Sequence, residues 1–146
     1  MKRFFPACVL ALLLTACGDD DDQIPRLLCG PDITIGDVLV AREFDSFTLV
    51  DAKVTDLCLE VTVSATGCSS QGWTMELFTF GEVAESLPTQ TSARLLFDDG
   101  VDAAEFTCQA EVTETYSFDL SPYLTPDALP TEFTLTGLAT TLSIPD

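Results

Sequence analysis

The chain reads as an all-β protein, an antiparallel β-sandwich of about seven or eight strands stapled by disulfides. Three observations predict this. Short segments rich in Val, Thr, Phe, Leu and Ile recur between residues 33 and 144, separated by Gly, Pro, Asp and Ser turns. Several of them alternate apolar and polar residues with a period of two, and no stretch carries the 3.6-residue period of a long amphipathic helix. Cys29, Cys58, Cys68 and Cys108 form an even set in a chain that begins with an export signal.

The N-terminus supplies that signal. Lys2 and Arg3 precede an apolar run over residues 4–14, which is too short to span a bilayer, where about 20 residues are needed. A basic start, an apolar run and small residues before a break are the parts of a secretory signal peptide. At its end, Leu14-Thr15-Ala16-Cys17 resembles the lipobox of bacterial lipoproteins. That resemblance implies cleavage after residue 16 and a diacylglyceryl thioether on Cys17. Two or more acyl chains hold a protein firmly, because each buried methylene contributes about 0.8 kcal/mol. The expected organisation is a signal peptide over 1–16, a lipidated Cys and acidic tether over 17–28, and a domain over 29–146. Cys8 leaves with the signal.

Gly18 and then Asp19-Asp20-Asp21-Asp22 follow the lipobox. A run of like charges is a solvated, self-repelling spacer. Directly after a lipidated Cys it also resembles the export signal of Bacteroidota-type lipoproteins that reach the cell surface. The expected location is the outer membrane, on its periplasmic side or on the cell surface.

The domain strands are expected over 33–35, 38–41, 47–54, 57–64, 73–80, 93–97, 110–120, 132–136 and 138–144. Leu57, Leu59, Val61 and Val63 are apolar at alternate positions, so one face of that strand points inward. Ala110, Val112, Tyr116, Phe118 and Leu120 repeat the pattern, interrupted at Glu114. Residues 121–127 make at most one turn, with Pro at its first helical position. A closed barrel built from the same strands is the rival architecture.

Strand ends choose a disulfide pairing. Cys68 lies in the turn between strands 57–64 and 73–80. If strand 93–97 runs antiparallel to 73–80, the connection carrying Cys108 returns to the same end. Cys58 starts its strand at the opposite end, leaving Cys29 as its partner. The expected bridges are therefore Cys29–Cys58 and Cys68–Cys108. The cysteine spacings match no zinc pattern.

Charge excludes whole classes of function. There are 24 acidic residues, 6 basic ones and no His. Once Lys2 and Arg3 are removed, only Arg26, Arg42, Lys53 and Arg94 oppose those acids. Such a surface repels nucleic-acid backbones and anionic lipids. Without His there is no Ser-His-Asp or Cys-His arrangement, and Lys53, near Asp51 and Asp56, reads as a surface ion pair. No carboxylate pair stands out as a glycosidase couple, so the expected domain is not an enzyme.

Two clusters remain as candidates for binding. Asp98, Asp99 and Asp102 around Gly100, with Glu105 beyond, offer hard oxygens suited to calcium, although the spacing is not that of an EF-hand. An Asp-Gly hairpin turn explains the same residues. Trp73, Phe78 and Phe80 place rings on both faces of one strand. A row of them left exposed would suit sugar stacking. No cofactor is expected beyond the covalent lipid, and a partner would be a protein or a glycan.

Cys58-Leu59, Gly67-Cys68, Trp73, the connection Glu85-Ser86-Leu87-Pro88-Thr89-Gln90, Cys108 and Ser117-Phe118-Asp119 together resemble a group of small, uncharacterised lipoproteins of Bacteroidota. The likeness spans residues 29–144 and carries no catalytic residue. It implies a tethered, non-catalytic module that binds a partner or contributes to the envelope. The alternatives are a calcium- or glycan-binding accessory module and a carboxylate-only hydrolase. The acidity also fits a high-salt habitat, in which stability falls as salt is withdrawn.

Overall fold

The alternating segment around Leu59 becomes the middle strand of a three-stranded sheet. In the computed structural model, which describes residues 29–37, 44–102 and 108–146, nine strands are formed: β1 Thr34–Ile35, β2 Thr48–Thr55, β3 Cys58–Gly67, β4 Thr74–Thr79, β5 Val83–Ala84, β6 Thr89–Asp98, β7 Ala110–Asp119, β8 Thr131–Leu135 and β9 Thr140–Ile144. One sheet has the order β2-β3-β7. The other has the order β1-β4-β6-β8-β9, with β5 pairing to β6 beyond the end of β4. Among the described residues, these two sheets pack together as a β-sandwich around the core. The strand expected over 38–41 lies outside the described residues.

Most neighbours are antiparallel, but β1 with β4 and β6 with β8 are parallel. The second case has a topological cause. The chain leaves β6, crosses to the other sheet as β7, and returns beside β6 as β8, so the two flanking strands run the same way. Strand β6 also starts four residues earlier than the apolar pattern indicates. Its first half, Thr89 to Ser92, is polar in sequence, yet Thr91 is buried. Its hydroxyl pairs with that of Thr131 on β8 at 2.9 Å, which satisfies both groups inside the sandwich.

Inward residues of both sheets meet in one core. Leu59, Val61, Leu77, Leu95, Phe118, Leu120, Phe133 and Leu135 are all buried within it. Tyr123, Leu124 and Ala128 close it at one end from the β7–β8 connection, where residues 126–128 form a 3-10 turn with Pro126 at its start. The Tyr123 hydroxyl donates to the Glu82 carbonyl at 2.6 Å and accepts from the Ser92 N–H at 3.3 Å. That bond holds the connection against β5 and β6.

The two ends of the sandwich differ. Strand β3 begins at Cys58, which is disulfide-bonded to Cys29. At this proximal pole lie the 56–57 hairpin, the 85–88 loop and the 120–130 connection. A Cβ on Gly30 would collide with the Ser117 carbonyl, so only glycine lets the incoming chain lie this close to β7. Asp32 then bridges Asp119, and the Ile33 N–H donates to the Asp119 carbonyl at 2.9 Å. At the distal pole, Cys68 is bonded to Cys108. Both bridges are the ones read from the strand ends.

Glu114 interrupts the inward pattern of β7 for a visible reason. The core-facing side of that strand is only half-buried from Val112 to Tyr116. The Tyr116 hydroxyl is nonetheless buried, with no hydrogen-bond partner among the described residues. Burial, and after it the Glu114 charge, push Tyr116 above the ordinary tyrosine range. The folded state therefore keeps a proton that the unfolded chain loses near pH 10, and stability falls as pH rises past about 10. A Tyr116→Phe variant is expected to gain up to about 1 kcal/mol at neutral pH. It should also lose less stability between neutral and alkaline buffer, as read by urea unfolding.

Candidate functional site

A recess lies toward the distal pole, between the start of β2 and the end of β6. It is a polar cavity of about 490 Å³, lined by Asp45, Phe47, Ser64, Phe97, Asp99 and Gln109 among others. The Asp45 N–H donates to the Phe97 carbonyl at 2.9 Å, which ties the approach to β2 onto β6 of the opposing sheet. Phe97 lines it, and its ring packs edge-on against Phe47 at 5.7 Å and Trp73 at 5.1 Å between ring centroids. Trp73 is therefore a packing residue.

Three carboxylates converge at this recess. Those of Asp45, Asp98 and Asp99 place an oxygen each within 4.8 Å of one another. Asp98 and Asp99 come from the sequence-expected calcium group. Asp102 does not join them, and Asp45 takes its place. Sequence reading missed Asp45 because 54 residues separate it from Asp99, and only the crossing of the two sheets brings it near.

Each of the three carboxylates already has a structural role. Asp45 Oδ2 accepts the Asp99 N–H at 2.9 Å, Asp98 Oδ1 accepts the Gly100 N–H at 2.8 Å, and Asp99 Oδ1 accepts the Val101 N–H at 2.8 Å. Gly100 has φ +71°, and a Cβ there would fall 2.8 Å from the Gly72 carbonyl oxygen. The Asp-Gly turn is thus built as turn chemistry requires. With one oxygen from each, the three side chains would leave three to five of the six to eight positions that calcium takes to other donors. An Asp45→Ala variant is expected to cost about 1–2 kcal/mol. Asp45→Asn, which keeps an oxygen acceptor, should retain most of that in thermal unfolding.

The remaining sequence candidates separate. Phe78 is buried on the outer face of β4 with its ring edge-on to Phe80 at 5.1 Å, and Phe80 is exposed. One exposed ring is not a row for stacking sugars. Lys53 pairs across the sheet with Glu60 at 2.7 Å on the solvent face. The Glu60 hydrogen bond and charge hold the ammonium above the usual lysine range, which makes it a poor general base near neutral pH. Cys17, the Asp19–Asp22 run and Glu105 lie outside the described residues.

A second recess of about 340 Å³ lies near the proximal pole, between the 85–88 loop and the outer face of β8 and β9. Gln90, Glu132, Thr134 and Thr141 line it beside Leu87 and Pro88. At the distal recess the Ser64 hydroxyl donates to Glu111 Oε1 at 2.7 Å, between β3 and β7.

No protein-family model matches the sequence, and no curated protein matches it. Among solved structures, the chain is similar to a DUF1344 protein of unknown function from Bacteroides vulgatus ATCC 8482, with a TM-score of 0.54 and 14% identity. The likeness covers 80% of this chain and 57% of that one, so this chain spans a little over half the length of its neighbour. At that identity the two share a fold.

Proposed function

We propose that the protein is a membrane-anchored bacterial lipoprotein whose acidic β-sandwich is a non-catalytic module that binds a partner or contributes to the envelope. The observation that carries this reading is Leu14-Thr15-Ala16-Cys17 at the end of a basic-then-apolar leader. Three further features support it. The Asp19–Asp22 run makes a solvated spacer. Both disulfides suit an oxidising compartment. The domain receives its tether at the proximal pole, so its larger polar recess faces away from the attachment point. No described helix is long and apolar enough to cross a membrane.

Cell fractionation tests it. The wild-type chain is expected in the outer-membrane fraction, and Cys17→Ser is expected to move it to the soluble fraction. Wild-type protein recovered from the soluble fraction would contradict the reading. Protease shaving of intact cells then separates the two faces of the outer membrane, because only a surface domain is cut.

A further inference from the structure

The exposed apolar side chains are unevenly distributed. Among the described residues, the large exposed hydrophobics are Ile35, Val50, Phe80, Val83, Leu87 and Val101. Val50 is the bulged residue of edge strand β2, and Val101 lies at the distal pole. The other four gather at the proximal pole. Strand β3 starts there at Cys58 and β4 returns to it, so Ile35, paired opposite Thr79, and the adjoining Phe80 lie at that end. Val83 pairs with Thr91 near the start of β6, and Leu87 tips the loop that joins β5 to β6. Leu87 is 92% exposed, Phe80 54% and Ile35 49%. A leucine presented so fully on a short loop, at the same pole as an exposed aromatic ring, has the form of an interfacial anchor.

The chain itself says which surface meets this pole. Cys29 enters here, bonded to Cys58. From Cys17 to Cys29 the chain can reach at most about 40 Å even when fully extended. Given the lipid anchor proposed above, on which this inference rests, the apolar pole is the part of the domain held closest to the bilayer. We infer that Leu87 and Phe80 seat this pole in the headgroup layer of the membrane that carries the lipid anchor, with Ile35 and Val83 at the margin. Asp37, Glu82 and Glu85, which adjoin these residues in sequence, are exposed. They keep the contact shallow and favour zwitterionic over anionic lipid. The distal recess of Asp45, Phe47 and Gln109 is then turned outward.

The test uses the acylated full-length mature chain, labelled with nitrogen-15, in nanodiscs of phosphatidylethanolamine containing a trace of headgroup nitroxide lipid. Amide signals of residues 80–87 are expected to lose the most intensity, while those of residues 69–72 and 136–139 keep theirs. A Phe80→Asp, Leu87→Asp variant, altered only at exposed positions, should stay in the nanodisc fraction and lose this pattern. Intensity loss centred on residues 30–32 and 56–57 would mean a domain tumbling freely on its tether, and would overturn the docking while leaving the anchor intact. Failure of the wild type to enter the nanodisc fraction would overturn the anchor, and the docking with it.

Discussion

Replacing Cys29 and Cys58 together with Ser is expected to lower the unfolding free energy by about 3–4 kcal/mol. The bridge joins residues 29 apart in sequence, and a closed loop of that size removes this much conformational freedom from the unfolded chain. The Cys68–Cys108 bridge spans 40 residues, and its loss should cost about as much, because the entropy grows only with the logarithm of loop length. Removing both should take about 6–8 kcal/mol, a large share of the 5–15 kcal/mol typical of a domain. The first bridge has a further consequence. It holds the segment in which Gly30 lies against Ser117 and Ile33 enters the core. Its loss should therefore raise hydrogen exchange in residues 30–35, whereas loss of the distal bridge should leave that segment protected. Urea unfolding of each double Ser variant, with exchange read on the same samples, checks both statements.

Phe118→Ala is expected to cost about 3–5 kcal/mol. Phe118 is 1% exposed and lies opposite Leu59 on β3, facing the core shared with the other sheet. Truncation removes a ring from a site fixed by strand pairing on one side and by the proximal end of the sandwich on the other, so the cavity cannot readily collapse. Phe118→Leu should recover roughly half of the loss, because most of the volume returns. A lowered urea midpoint at constant slope is the expected signature; a changed slope would mean that the unfolded or native state itself had altered.

The strands legible in the sequence are those whose side chains announce a buried face. Leu59, Val61 and Val63 alternate on β3 and are all fully buried. The strand ends around Cys58 and Cys68 were defined well enough to select the disulfide pairing. Where the inward residue is polar, the pattern fails. Thr91 and Thr131 are buried as a hydroxyl pair, so the first half of β6 reads as loop. Strand β5 holds only Val83 and Ala84, too short for any period to show. The parallel pairing of β6 with β8 is set by a crossover through the other sheet, which local spacing does not encode.

The acidic turn was half legible for a related reason. Asp98 and Asp99 adjoin a turn glycine, and their clustering follows from sequence alone. Asp45 reaches them through the bond from its N–H to Phe97, a tertiary contact. Asp102 is near in sequence and absent from the cluster. Similarly, parity separated Trp73 from Phe78 and Phe80, but it could not tell that Phe78 would be buried on the outer face and Phe80 left exposed.

The central claim is that a lipid on Cys17 holds this acidic sandwich at a membrane, and intact-mass analysis of the mature protein tests it most directly. The account predicts loss of residues 1–16, a new N-terminus at Cys17 carrying the added mass of a diacylglyceryl group, and two intact disulfides. A mature chain beginning elsewhere, or beginning at Cys17 with no lipid mass, would contradict it.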